Sequence, residues 1–567
     1  MLVVVLVMVA LLSLLAAGYT LMVRAYLDGM TTEIRQFKIR QAANSGVQSA
    51  VVTLRYTRGD LDSWFNSPER YRAFLVSGPE GKDAESVQQK AVTGEVKKYD
   101  PTLEEAFRFS LIAPDLNDPN RVRYGITDES ARMDLNSVTG DQLRRLLQRV
   151  VPVNTDFPVN IDVLVDSFLD WREPGDEPRP NGAKNEYYAT LIPPYRAKGA
   201  AFSSVEELLL VRGFSTWVVY GEDYNQNGLL DPNEDDGNES FPPDDGNGVL
   251  YRGIAPFFTV WSQESNTSGD NRPRINLNMQ DLDKLQEKLE QEIDGDIVSY
   301  IISVRSAGIR FNSVMNLLPA PPLEAQLAEQ EATSQPDDQS PPEQGAPQSP
   351  AQADGEDPTS QPSEENREDS RPGFADQDGS DPESENPPTS APSGENPQRP
   401  PAARAPVYAN LTDEEPPGSY EDLPLLLDRL SASPSPILNG RINVSTAPRE
   451  VLAMLEELSD EDVEAIVTAR ANLDSATKSS PSWLVSQGVI SEYKFRRILD
   501  KITTKSSVYR IEAVGFADSL GIVERFMVIL QMRGPVPQVM YYRNLNPLGM
   551  AYRPHGDELR GAQDKSK

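Results

Sequence analysis

Twelve consecutive residues, Asp223-Tyr224-Asn225-Gln226-Asn227-Gly228-Leu229-Leu230-Asp231-Pro232-Asn233-Glu234, alternate oxygen donors around a single glycine. That spacing suits a hard divalent cation. Asp223, Asn225 and Asn227 supply side-chain oxygens from alternate positions, and Gly228 permits the sharp turn. Leu229 offers its backbone carbonyl, Asp231 binds directly or through water, and Glu234 reaches back with both oxygens. So many oxygen ligands favour Ca²⁺ over Mg²⁺, which keeps more of its water. The bland alternative is a solvated Asp/Asn turn, which acidic chains contain often. The full ligand set together with the glycine favours the ion. Pro232 and the nearby Phe241-Pro242-Pro243 leave little room for a flanking helix pair, so a static structural loop is expected. A second acidic group, Asp235, Asp236, Asp244, Asp245 and Asn247, lies close enough to help hold a second ion, although its spacing fits no template.

Composition removes most other chemistry. The chain has no cysteine and one histidine, His555, in a polar C-terminal stretch. Disulfides, thiolate metal sites and cysteine nucleophiles are therefore excluded, and neither a Ser-His-Asp triad nor a histidine zinc site is expected. Without disulfides, a cation bound by carboxylates is one way to fix long loops. No P-loop, dinucleotide-binding glycine fingerprint or Gly-x-Ser-x-Gly elbow occurs. Paired carboxylates can be found anywhere in so acidic a chain and identify no catalytic site, so the chain reads as a non-enzyme. With 54 basic against 87 acidic residues the net charge is -33, which repels a phosphate backbone and argues against nucleic acid as a partner. Four glycosylation-type sequons, at Asn238, Asn266, Asn410 and Asn443, are short enough to arise by chance.

The elements that must position the loop begin with an apolar run. Residues 1–23 carry no charged side chain, long enough to cross a bilayer core of about 30 Å as a helix. Tyr26, Leu27, Met30, Ile34, Phe37, Ala43, Val47, Ala50, Val51 and Leu54 then recur at three- and four-residue steps, so one amphipathic helix is expected to continue over 24–55. A basic n-region is missing and Ala16-Ala17-Gly18 is a weak cleavage signal, which favours a retained anchor over a removed signal. Arg24, Arg35, Lys38 and Arg40 follow the span, so charge alone does not orient it.

Short strands are expected at 95–99, 106–112 and 121–126, with Arg108, Ser110 and Ile112 alternating against Phe107, Phe109 and Leu111 as in a half-buried sheet. Helical texture follows. Ile161, Leu164, Val165, Phe168 and Leu169 form a stripe behind the N-cap Asn160, and Ser203 with Glu206 reads as a capping box closed later by Gly213. A pattern recurs three times: Met133-Asp134-Leu135-Asn136, Arg274-Ile275-Asn276-Leu277-Asn278 and Arg441-Ile442-Asn443-Val444-Ser445. Each reads as a brief extended piece before a helix, which its last polar residue could cap. A helix-hairpin-helix DNA module over 443–470 is the alternative. The glycine turn it needs is missing and Glu456-Glu457-Leu458-Ser459-Asp460 is acidic, so packing is the preferred reading.

Residues 319–406 are rich in Pro, Ser, Gln and acid and nearly free of large apolar residues, which predicts a disordered linker. Helices resume at 420–430, 449–455, 460–470, 482–487 and 492–502, and strands close the chain at 507–514 and 522–532. Because strands open and end this part, the helical portion is expected to be an insertion within a sheet domain.

Taken together these residues resemble the K-type minor pseudopilin of the type II secretion system (general secretion pathway protein K). The likeness rests on the apolar N-terminal helix, Asp128-Glu129 ahead of Leu135-Asn136, Phe168-Leu169-Asp170-Trp171 and Pro193-Pro194-Tyr195. Residues 203–213, the stretch 443–452 with Ala447-Pro448, and the closing strands complete it. The resemblance implies an α+β, pilin-like fold: a long N-terminal helix plus an antiparallel sheet, with a large inserted mainly α-helical domain. On that plan residues 1–23 are the transmembrane half of the helix, 24–55 its amphipathic continuation and 56–130 the first part of the sheet domain. Residues 131–318 are the inserted helical domain with the calcium loop, 319–406 the linker and 407–505 the remainder of the insertion. Residues 506–533 are the returning strands and 534–567 a polar tail. The resemblance further implies Ca²⁺ as cofactor on Asp223, Asn225, Asn227, Leu229, Asp231 and Glu234, and the I and J minor pseudopilins and the pseudopilus as partners. It implies a single pass through the inner membrane with the C-terminal bulk in the periplasm, and a role in capping the pseudopilus tip and starting its assembly. The K type lacks the glutamate near the mature N-terminus of other pilins, and Val5 agrees with that. The family pattern also calls for a basic leader before the apolar run, and none precedes Met1 in this sequence. A membrane-anchored calcium-dependent adhesin or scaffold protein is the alternative reading.

Overall fold

The structure is a computed structural model that describes residues 2–77, 106–118, 121–152, 159–237, 239–334, 408–517, 523–533 and 536–549. The expected strand at 95–99 and His555 lie outside the described residues. Contact clustering separates 327–407 from the rest of the chain, and of that part only 327–334 are described.

The N-terminal pattern forms one helix, α1 (Leu2–Thr57), whose 56 residues span about 84 Å at 1.5 Å each. Residues 2–38 are exposed throughout, and this helix is long and apolar enough to cross a membrane. Burial starts at Ile39 and continues through Ala42, Ala43, Gly46, Val47, Ala50, Val51 and Leu54, the three- and four-residue steps of one helix face. That face lies on a single antiparallel sheet. Its strands are β1 (Phe74–Ser77), β2 (Phe107–Pro114), β3 (Val122–Tyr124), β4 (Thr127–Asp128), β5 (Val508–Ala517), β6 (Val523–Gln531) and β7 (Gln538–Asn544). Their order is β1-β2-β5-β6-β7, with β3 against β2 and β4 against β5. The α+β, pilin-like expectation is met.

Two glycines allow the helix to seat so closely. A Cβ on Gly515 of β5 would stand 2.2 Å from the Ile39 carbonyl oxygen, and one on Gly46 would stand 2.7 Å from the Phe109 ring. Gly515→Val is therefore expected to cost about 2–3 kcal/mol by overpacking, read as a lower urea midpoint for the full chain in detergent. A change within experimental error would show that α1 does not cross β5 there.

Several sequence expectations need correction. β2 is not half-buried, since Arg108 and Ser110 on its second face are also sealed. The segment before β1 covers them: the Ala73 N–H donates to Ser110 Oγ at 2.9 Å, and its carbonyl accepts from Arg108 at 3.0 Å. The stretch after Arg533 is not wholly a polar tail. Residues 538–544 form the edge strand β7 along β6, and Asn546–Leu548 make a short 3-10 turn. Within the expected linker, Leu323–Ser334 is helical, as its Leu, Ala, Glu and Gln content favours. Residues 335–406 lie outside the described set.

The described residues between β4 and β5, outside 327–334, contain a threefold repeat. Met133–Asp134, Ile275–Asn276 and Ile442–Asn443 each start a unit, and each pairs in parallel with a later strand: Phe258–Thr259, Leu430–Ser431 and Ile502–Thr503. Parallel pairing needs a crossover. Helices provide it: Gly140–Val150 with Ile161–Arg172, Leu282–Glu290 with Gly295–Ser306, and Arg449–Leu452 with Asp460–Asn472. The last turn of each second helix supplies an arginine that ties the unit's opening turn. Arg172 donates to the carbonyls of Leu135 and Val138, Arg305 to those of Ile309 and Met279, and Arg470 to those of Val444 and Ala447.

The polar residue of the recurring pattern does not cap the next helix. Asn136 instead pairs its amide with the backbone of Phe202, and Asn278 does the same with Phe311. The caps fall later, on Thr139 with Gln142 and on Asp281. Nor does Ser203 with Glu206 form a capping box. Residues Val205–Leu210 are a 3-10 helix, and the Ser203 N–H donates to Glu207, a carboxylate anchored by Lys198 and Trp171. Asn160 caps its helix as expected, by accepting from the Val163 N–H. At the helix-hairpin-helix candidate, the Ser459 N–H donates to the Asp462 carboxylate at 2.8 Å. The chain's own carboxylate thus sits where a phosphate would bind.

Candidate metal centre

The loop emerges from the short helix Thr216–Tyr220, whose N-cap Ser215 accepts from the Val218 N–H and whose end is turned by Gly221 at φ 64°. Asp223 then organises the loop from within. Its two carboxylate oxygens accept from the N–H groups of Asn227 and Gly228, both at 2.9 Å. Gly228 has φ 73°, in the left-handed region the sharp turn requires. Asp231 caps the turn Pro232–Glu234, and Glu234 closes the circle by accepting from the Tyr224 N–H at 3.1 Å and the Asp231 N–H at 3.1 Å. Asn225 and Asn227 both direct their amide nitrogens to Asp231 Oδ2, at 2.7 and 2.9 Å. The first-named residues are thus brought together: Asp223, Asn225, Asn227, Asp231 and Glu234 face one another around Leu229.

Do these residues fit a cation? Among the described residues no three acidic, histidine or cysteine side chains converge closely enough to hold a metal by themselves. A full set is reached only with the amide oxygens of Asn225 and Asn227 and the Leu229 carbonyl, which requires both amides to turn over. The electrostatics favour a positive charge. Asp223 is 4% exposed and Glu234 2%, and neither has an ion-pair partner among the described residues. Burial pushes Asp223 up to about 6. Burial, with the Asp223 charge beside it, pushes Glu234 up to about 8. With both amides turned, this donor set would suit Ca²⁺.

A pH dependence follows. Each carboxyl holds its proton more tightly folded than unfolded. Without a cation, stability is therefore greatest below the ordinary carboxylate range and falls as pH rises through about 6 and on to about 8. Calcium binds the deprotonated form. The calcium-induced rise in melting temperature is expected to grow between pH 6 and pH 8, and a rise of equal size at both ends would show that these carboxylates do not carry it.

The second acidic group is arranged differently. Asp244 accepts from the N–H groups of Gly237 and Gly246, Asp236 takes the Ser240 hydroxyl, and Asp235 takes the Gly248 N–H. Asp245 and Asn247 bond each other. These hydrogen bonds tie the described residues between 235 and 248 to one another.

Three residues that no local motif marks complete the site. Arg525 of β6 donates to the carbonyls of Asn225 at 2.6 Å and Gln226 at 2.8 Å, and Arg252 donates to that of Gly228 at 2.9 Å. Glu222, pushed up to about 7 by burial, accepts from the Tyr251 N–H. Arg525 follows the loop by some three hundred residues, so only the fold reveals it.

Residues 123–220 match the protein family described as "Type II secretion system (T2SS), protein K". This is the family that the sequence motifs resemble. The match runs from β3 through the two helices of the first repeat and ends at Tyr220, before the loop 223–234. A solved structure, "The Crystal Structure of the GspK-GspI-GspJ complex from enterotoxigenic Escherichia coli Type 2 Secretion System", is 9% identical, with a TM-score of 0.33 over 91% of this chain and 98% of that one. Likeness at that level carries no argument about function. No curated protein matches the chain.

Proposed function

We propose that the chain is a K-type minor pseudopilin of a type II secretion system, capping the pseudopilus tip and helping to start its assembly. One observation carries this reading: a stretch matching the secretion-system K family sits in a helical insertion that interrupts a pilin-like helix-and-sheet frame. The exposed apolar half of α1 supports storage in the inner membrane and lateral packing against sister subunits, with the acidic bulk in the periplasm. The solved complex named above joins a K subunit to I and J subunits, and the same classes of partner are proposed here. The K type that the chain resembles lacks the glutamate of other pilins, and Val5 lies near that part of the helix; such a chain has less means to neutralise a preceding subunit's N-terminal amine, which suits a cap. The role is structural and not catalytic, and Ca²⁺ holds the loop 223–234 in the inserted domain.

Co-expression with the I- and J-type pseudopilins of the same secretion system tests the reading. A stable complex in detergent, together with secreted proteins trapped in the periplasm when the gene is deleted, is the expected result. A chain that remains alone, and whose loss leaves secretion intact, would overturn it.

A further inference from the structure

A cleft of about 150 Å³ lies where the inserted domain meets the sheet. Arg132 lines it, directly after the turn Glu129–Ala131 that leads out of β4. This side chain is 6% exposed, and among the described residues its guanidinium makes no hydrogen bond or ion pair, with Nε sealed from solvent. A buried guanidinium without a hydrogen-bond partner is costly and calls for an explanation.

The charges of Glu129 and Glu512 act on it from nearby, but neither carboxylate bonds it, and each neighbouring acid is engaged elsewhere. Glu129 is held by Arg510 at 2.6 Å and by Thr259. Glu512 is held by Arg525 at 2.6 Å, and Glu206 by Arg543 at 2.9 Å. Asp128 takes the Ser130 N–H and the side chains of Asn443 and Thr446. Asp115 takes the Asn117 N–H, and Asp223 is committed to the metal loop. The guanidiniums of Arg123, Arg252, Arg510, Arg525 and Arg543 line the same cleft. Arg123 stacks on the Phe65 ring with its centre 3.8 Å away, so its charge is fixed in place. Burial lowers Arg132 to about 9 and Arg123 to about 10, which leaves both cationic at neutral pH. Apolar side chains of Ile112, Met527 and Ile529 form part of the wall, and the partly exposed Arg510 and Arg543 sit at its rim.

We infer that this cleft is an oxyanion site centred on Arg132, which takes a carboxylate or phosphate group. The guanidinium fork suits two-pronged binding of either, and the ligand's oxygens supply the hydrogen-bond acceptors the fold does not provide. Two sources share this chemistry: a peptide carboxylate on an apolar residue, or free phosphate. In a chain of net charge -33, a cluster of guanidiniums facing a cleft is set against the prevailing field.

The test uses the full chain in detergent at constant ionic strength, titrated calorimetrically with N-acetyl-leucine, inorganic phosphate and the neutral N-acetyl-leucinamide. Saturable binding of at least one oxyanion and none of the amide is expected, weakened about tenfold or more in Arg132→Met. Binding of N-acetyl-leucine alone assigns a peptide carboxylate, and binding of phosphate alone assigns the free ion. Without ligand, Arg132→Met should melt no lower than the parent, since it removes a buried charge whose desolvation is its largest electrostatic effect. Should that variant fail to fold, Arg132→Lys, which keeps the charge but loses the fork, is expected to bind more weakly. Absence of saturable binding by either oxyanion, or equal affinity in the Arg132 variants, would overturn the site.

Discussion

Adding calcium to the chelator-treated full chain is expected to raise its melting temperature by about 5–10 °C, and the double variant Asp223→Ala, Glu234→Ala to lose the response. The size follows from linkage: at a hundredfold excess over Kd, a ligand bound only by the folded state adds about 2.7 kcal/mol. Each kcal/mol moves the midpoint of a mid-sized domain by about 2–4 °C. The two carboxylates concerned are nearly sealed from water and have no ion-pair partner among the described residues. The double variant also removes the acceptors of the Gly228 and Asp231 N–H groups, so it should melt lower than the parent in calcium. Scanning calorimetry with calcium and with magnesium separates the two ions. A chain that melts at the same temperature in calcium and in chelator would rule the site out.

Arg525→Met is the second large effect, at about 3–5 kcal/mol of lost stability. Arg525 is 1% exposed and bonds three partners: Glu512 Oε1 at 2.6 Å and the carbonyls of Asn225 and Gln226. Truncation strands the Glu512 carboxylate between β5 and β6 and frees the first half of the metal loop from the sheet. Urea unfolding reads the stability, and a calcium titration should show weaker affinity as well. Adding Glu512→Gln removes the stranded charge, so the pair is expected to recover part of the loss. Loss below about 1 kcal/mol, with unchanged calcium affinity, would mean that the arginine does not tie the loop to the sheet.

Local pattern was enough for a good part of this molecule. The three- and four-residue steps of α1 foretold the buried face from Ala43 to Leu54, and the spacing from Asp223 to Glu234 foretold which residues would meet. It failed where a side chain's partner lies far along the chain. Asn136 and Asn278 looked like helix caps because a cap is a local event. In the fold they brace Phe202 and Phe311, and the similar Arg172, Arg305 and Arg470 became visible only once the three units could be laid side by side. Burial on both faces of β2 was missed for a related reason, since the cover comes from the segment around Ala73 and not from the alternation itself.

By itself, then, the sequence determined the membrane-length helix, the family resemblance and the twelve-residue loop, because periodicity, composition and ligand spacing act within a few turns of chain. Tertiary structure alone decided that a β6 arginine clamps the loop, that β7 extends the sheet past Arg533, and that Arg132 is buried with its Nε unbonded. Each of these depends on which distant backbone closes over a polar group, and desolvation is a property of the folded surroundings, not of the neighbouring letters.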